Sequence, residues 1–142
     1  MKTIAHTVDK NVSITYILED ISIRDYCSKF LNNDSNYVEL TDNNYPDIYF
    51  KDAWELKNST LSVNINKSKN IQINKWRAAR KPLLAALDIE FMRAVESGDI
   101  ALQSEIAGKK QALRNITLTE LPDTLEGIKN TWPEILGQNP FS

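Results

Sequence analysis

The sequence predicts an α+β protein: a small N-terminal β-containing unit followed by a C-terminal antiparallel helical hairpin. Three observations carry that expectation. Before Asn66 the apolar residues fall in short β-branched runs, whereas after it their spacing moves toward 3.6 and the composition turns to Ala, Leu, Lys, Arg and Glu. The stretch Glu96-Ser97-Gly98-Asp99 sets a C-capping glycine directly before an N-capping aspartate. A domain of strand, helix, strand and hairpin is thus expected over 1–66, and a helical hairpin with a short C-terminal helix over 67–142.

Taken in order, Val12 to Leu18 is β-branched and aromatic with partial alternation, which suits a half-covered strand. Asp20 is placed to cap a helix from about Ile21 to Leu31, where Ile23, Tyr26, Cys27, Phe30 and Leu31 recur at helical spacing and turn Cys27 inward. Turn chemistry over Asn32–Asn36 leads to a second strand, Tyr37 to Leu40. Ile48 to Leu56 and Leu61 to Ile65, joined by Lys57-Asn58-Ser59-Thr60, read as a hairpin that closes the sheet. The first long helix takes its cap from Asn66 or Ser68, and its apolar stripe drifts through Ile73, Trp76, Ala79, Leu83, Leu84, Leu87 and Phe91. Pro82 removes a helical hydrogen bond there, so a kink or a restart is expected. A second helix runs from Asp99 to about Asn115. Asp123 or Thr124 caps a last short helix, and Trp132-Pro133 ends it and lays the indole over the hairpin.

Bulk numbers narrow the function. The chain has 142 residues, 42% hydrophobic and 25% charged, with a net charge of -2, which suits a folded core and argues against a dedicated nucleic-acid binder. A single cysteine, Cys27, and a single histidine, His6, make an intrachain disulfide or a zinc site unexpected, and no cofactor is expected. The first twenty residues alternate and carry charges where a secretion signal needs an unbroken apolar run, and no segment has the length of a membrane span. Five N-x-S/T sequons are what an asparagine-rich chain produces by chance. No phosphate loop, dinucleotide fingerprint, nucleophile elbow or zinc-protease motif occurs, so the expectation is a protein that is not an enzyme. Pairs such as Asp88 with Glu90, or Glu19 with Asp20, read as solvated helix faces or caps.

Charge is unevenly distributed. Residues 1–55 hold ten acids and five bases, whereas Lys67 to Lys81 holds Lys67, Lys69, Lys75, Arg77, Arg80 and Lys81 with no acid, around Trp76. Such a helix reads in three ways: as a tracker of a phosphate backbone, as a solvated basic face, or as an interface helix with an aromatic anchor. Trp76, Arg77, Arg80, Leu84 and Phe91 are the expected partner-binding residues.

One resemblance sharpens this. Phe50-Lys51-Asp52-Ala53-Trp54, the run WRAARKPLLAALDIEFMRAVESGD from Trp76 to Asp99, KKQALRN from Lys109 to Asn115, and the closing Trp132-Pro133-Glu134 together resemble small proteins of tailed bacteriophages and prophages. These are typically encoded among tail and tail-fibre genes. The similarity covers roughly residues 48–136 and is strongest in F-x-x-A-W followed by R-x-A-R-x-P-L-L-x-A-L-D; the Asn-rich N-terminal unit and the short link before Trp132-Pro133 depart from many relatives.

The resemblance implies a virion-assembly role of the tail-fibre assembly chaperone kind, in which the partner is a tail fibre or tail-tip protein and the protein works in the host cytoplasm or stays in the virion tail. A small structural adaptor of the tail and a nucleic-acid-binding regulatory protein using helix 67–81 are the alternatives. It supplies no catalytic residues. An amphipathic hairpin whose stripe is incompletely covered also favours self-association.

Overall fold

A computed structural model describes residues 1–31 and 36–142, so the turn expected over Asn32–Asn36 lies, apart from Asn36, outside the described residues. The fold is α+β, with an antiparallel sheet at the N-terminus followed by long helices. The chain divides into two compact units, Met1–Ser68 and Lys69–Ser142, two residues beyond the boundary read from the sequence.

In the first unit, β1 (Lys2–Val8) is the central strand, antiparallel to β2 (Asn11–Ile17) on one side and to β3 (Tyr37–Glu39) on the other. Strand β1 is an addition to the sequence reading. Successive residues point to opposite faces of a strand, and here both faces are covered. Ile4 packs with Ile17 and with Cys27 of α1 (Ile23–Phe30), while its neighbour Ala5 packs with Val12, Leu40, Trp54 and Leu56 on the other face. Both are fully buried. His6, also buried, has Nε2 2.7 Å from Thr15 Oγ1. The cap of α1 is Ser22 and not Asp20: the Asp25 N–H donates to Ser22 Oγ at 3.1 Å.

The strand expected over Ile48–Leu56 is divided. Ile48–Ala53 forms a 3-10 segment opened by Asp47, whose Oδ1 accepts from the Tyr49 N–H, and it buries Phe50 and Ala53. Those two side chains are three residues apart, the period of a 3-10 turn and not of a strand. Only then do β4 (Trp54–Lys57) and β5 (Thr60–Val63) pair, as a separate two-stranded sheet packed over the Ala5 face and not as an extension of the first sheet. Ile65 is the first residue of α2 (Ile65–Glu96) and not the end of a strand. The cap of α2 is Asn64, not Asn66 or Ser68: its Oδ1 accepts from the Lys67 N–H at 3.0 Å, while Ser68 Oγ donates to the Asn64 carbonyl. Glu55 Oε1 accepts from Asn64 Nδ2 at 2.8 Å and pairs with Lys67 Nζ at 3.0 Å. These hydrogen bonds, Asn64 first and then Lys67, hold the Glu55 carboxyl below the usual range. Their support is present above the ordinary carboxylate pKa and is lost as pH falls through the lowered one.

The second unit is the remainder of α2 with α3 (Ile100–Asn115) and α4 (Leu125–Asn130). Pro82 does not restart α2; the helix runs through it. Pro82 and Ala78 are both exposed, so the carbonyl that loses its partner lies on a water-facing side. The reversal after α2 matches the capping read from the sequence. Gly98 has φ 69°, its N–H donates to the Val95 carbonyl, the Asp99 N–H donates to the Ala94 carbonyl, and Asp99 accepts from the Leu102 N–H. The core gathers Trp76, Leu113, Ile116 and Leu136, with Ile73, Ala79, Leu84, Leu87, Leu121 and Trp132 packed around them. Thr124 caps α4, accepting from the Gly127 N–H.

Both tight hairpins hold two consecutive residues in the left-handed region without glycine: Asp9 and Lys10 (φ 48° and 71°), then Asn58 and Ser59 (φ 50° and 59°). Such turns match the twist of the flanking strands but strain a residue that carries a Cβ. Lys10→Gly and Ser59→Gly are therefore each expected to stabilise the protein by about 0.5–1 kcal/mol, read as a higher urea midpoint at unchanged m-value.

Candidate partner-binding site

Two side chains on the inner side of α2 close the ends of the other helices. Gln72, fully buried, donates from Nε2 to the Thr131 carbonyl at 2.9 Å and to the Lys129 carbonyl at 3.5 Å, at the end of α4. Arg80 donates from Nη1 to the carbonyls of Leu113 and Arg114 at 3.3 and 3.1 Å, in the last turn of α3. The last carbonyls of a helix have no partner within it and carry the negative end of its dipole, so an amide and a guanidinium satisfy what would otherwise face the core. Eight residues separate Gln72 from Arg80, a little over two turns, which puts both on the side of α2 that also carries Trp76.

This geometry sorts the five residues expected to bind a partner. Trp76 is 0% exposed and lies at the centre of the core, so it cannot anchor anything outside the chain. Its aromatic bulk is used for packing, and its Nε1 is buried with no hydrogen-bond partner among the described residues, as is that of Trp54 in the first unit. Arg80 lines a groove but is committed to the α3 carbonyls. Arg77, whose Nη1 donates to Asn74 Oδ1 at 2.8 Å, and Leu84 line the same groove with Lys81, Ala85 and Asp88, around a volume of about 420 Å³. Phe91 stands apart and half-buried, with Lys110 Nζ 5.4 Å from its ring centroid; Lys110 also pairs with Asp88 across the hairpin.

A second groove was not evident from sequence. Leu83, Ala86, Leu87 and Glu90 of α2, Lys109 and Leu113 of α3, and Ile135 beyond the Trp132-Pro133 pair enclose about 400 Å³, and the wall is apolar except for Glu90 and Lys109. Leu83, Leu87 and Leu113 were legible as stripe residues, but nothing in the spacing brings Ile135 to them. Towards the turn, Ile89, Met92, Val95, Ile100 and Leu102 are exposed, and only Ala94 and Ile106 are fully shielded.

Among the described residues, no group of three His, Cys, Asp or Glu side chains is placed to hold a metal ion, and no helix is long and apolar enough to cross a membrane. Comparison with protein-family models, with curated proteins and with solved structures finds no match to this chain.

The positions of Trp76 and Arg80 predict stability phenotypes. Trp76→Ala empties the core and should cost about 3–5 kcal/mol. Arg80→Ala uncaps α3 and should cost about 1–2 kcal/mol. Thermal or urea unfolding checks both; substitution of surface contact residues would leave the unfolding free energy within about 0.5 kcal/mol of the parent.

Proposed function

We propose that this protein acts by binding and not by turnover, as an assembly chaperone for a bacteriophage tail fibre or tail-tip component. The observation that carries this reading is the open apolar groove along the hairpin, lined by Leu83, Ala86, Leu87, Leu113 and Ile135 and flanked by one charge of each sign, Glu90 and Lys109. An apolar trough with a polar rim covers exposed hydrophobic surface on an incompletely folded or unassembled polypeptide and releases it when that surface finds its own partner. The resemblance of Trp76–Asp99 and Lys109–Asn115 to proteins encoded among tail-fibre genes supplies the class of partner.

The use made of the basic run supports protein over nucleic acid as the partner. Lys67 pairs with Glu55, Lys69 with Asp123, Lys75 Nζ stands 4.5 Å over the Phe141 ring, Arg77 bonds Asn74, and Arg80 caps α3. A backbone-tracking helix keeps its cations turned outward, and most of these are engaged within the chain.

The test is coexpression with a fibre fragment and copurification. The unmodified protein is expected to capture the fragment and raise its soluble yield. Ala86→Arg, which places a long charged side chain at the mouth of the groove from an exposed helical position, is expected to abolish capture while shifting stability by no more than about 0.5 kcal/mol. Absence of a complex, or capture by Ala86→Arg equal to that of the parent, contradicts the reading. Detection in finished particles separates a retained tail adaptor from a chaperone that departs.

A further inference from the structure

The outer edge of β2 is a row of main-chain groups with too few partners. β2 pairs with β1 on one side only, and the phase of that pairing is fixed by the two-residue turn at Asp9 and Lys10. In such a hairpin the residues that close the turn, Val8 and Asn11, bond to each other, and every second pair after them does the same. Asn11, Ser13, Thr15 and Ile17 therefore use their main-chain groups on β1, while Val12, Ile14 and Tyr16 turn theirs outward. A side chain agrees with that phase: Lys51 Nζ donates to the Val12 carbonyl at 3.3 Å. Among the described residues, none bonds the main-chain groups of Ile14 or Tyr16. Edge strands are ordinarily kept from pairing by shortness, a charge, a proline or a covering side chain. β3, at the other edge, is three residues long, and its Glu39 carbonyl takes Asn44 Nδ2 at 2.9 Å. β2 is seven residues long and has neither a charge nor a proline.

We propose that this edge pairs antiparallel with the same edge of a second copy of this chain, about a twofold axis at Thr15. The strand itself argues for that occupant and that register. Its open stretch is short, closed by Lys51 at Val12 and by the end of β2 at Ile17. With Thr15 opposite Thr15, Ile14 falls opposite Tyr16 twice, and each of these pairs exchanges both main-chain bonds, so every open N–H and carbonyl of Ile14 and Tyr16 is satisfied in both copies. Aromatic against β-branched, and threonine against threonine, are favourable cross-strand pairs. Tyr16, 56% exposed, and Leu18, 80% exposed just beyond the strand, are covered by Ile14 and Val12 of the second copy. The ends also match in charge. Lys10 stands opposite Asp20, and neither has an ion pair within the described chain; Asp9, the other charge of that turn, falls opposite Ile21. A shift of two residues sets Tyr16 against the capped Val12, or Ile14 against Leu18 beyond the strand. The contact is well under the ~800 Å² per partner of a standard interface, which makes the dimer weak and concentration-dependent. β2 belongs to the first unit and the groove assigned to the fibre partner to the second, so the two readings stand or fall separately.

Sedimentation of the purified full chain from a few µM to about 500 µM, with amide exchange followed residue by residue, tests the pairing, since a small interface gives a dimer in that range. The parent is expected to pass from monomer to dimer. At the top of the range the amides of Ile14 and Tyr16 should exchange about fivefold more slowly, while those of Tyr37 and Glu39, on the opposite edge, do not change. Tyr16→Pro removes an outward N–H that β1 does not use and should remain monomeric. Tyr16→Lys keeps every main-chain group, sets a charge against Ile14 and should weaken the dimer about tenfold. Lys10→Asp should weaken it similarly by facing Asp20 with a second acid, and Lys10→Asp combined with Asp20→Lys should restore it. A parent that stays monomeric to the top of the range, a dimer indifferent to both Tyr16→Lys and Lys10→Asp, or dimerisation without slowed exchange at Ile14 and Tyr16 overturns the proposal. Slowed exchange at those two amides only when a fibre fragment is added to a monomeric parent gives the edge to a foreign strand and overturns it as well.

Discussion

Two helices can shield only the sides they turn toward each other, and that limit governs the second unit. Near its base the hairpin has help: Trp132 and Leu136 return after α4 and, with Leu121, close the core around Trp76, Leu113 and Ile116. Towards the Ser97–Asp99 turn, Ala94 and Ile106 are fully shielded while Ile89, Met92, Val95, Ile100 and Leu102 remain exposed. Full burial of one such side chain contributes about 1.5–3 kcal/mol. The isolated chain therefore leaves several kcal/mol unrealised in this half of the hairpin, and an associating polypeptide can recover it.

The residues that stand out most in the sequence are the ones the fold uses for itself. Trp76 and the surrounding arginines look like an exposed anchor with basic neighbours, yet the indole fills the core and Arg80 closes the C-terminal end of α3. Gln72 does the same for α4 from within the core. These commitments hold the base rigid, and a rigid base is what allows the uncovered half of the hairpin to be presented in one conformation. The tight reversal adds to this, since both carbonyls at the end of α2 and the N-terminus of α3 are satisfied by the Gly98-Asp99 pair.

How much was legible in advance depended on whether the signal was local. Gly98 and Asp99 marked the hairpin turn, Asp123 or Thr124 marked the start of α4, of which Thr124 is the cap, and the inward placement of Cys27 followed from helical spacing, because each depends only on residues within a turn or two. Strand β1 was missed because its burial on both faces erases the alternation by which a half-covered strand is recognised; Ile4, Ala5 and His6 are all buried in succession. The cap at Ser22 lies two residues from the expected Asp20, and the cap at Asn64 two or four from the expected Asn66 or Ser68, as happens when several Asn, Ser and Asp compete within one turn. The restart allowed for at Pro82 does not occur, and a local rule cannot see that the lost hydrogen bond falls on a solvent-facing side. The candidate site was the least legible part. The apolar groove joins residues from α2, α3 and the segment after α4, and its existence depends on what fails to cover it.

The central claim is that the apolar groove of the hairpin, lined by Leu83, Ala86, Leu87, Leu113 and Ile135, grips the partner. Amide hydrogen exchange of the purified protein alone and in complex with a fibre fragment measures this directly, because local opening is suppressed where a partner packs. Slowed exchange concentrated in residues 83–90 and 109–113, with residues 1–63 unchanged, is the result predicted. Protection confined to residues 1–63, or exchange in the hairpin that is indifferent to the fragment, would contradict the account.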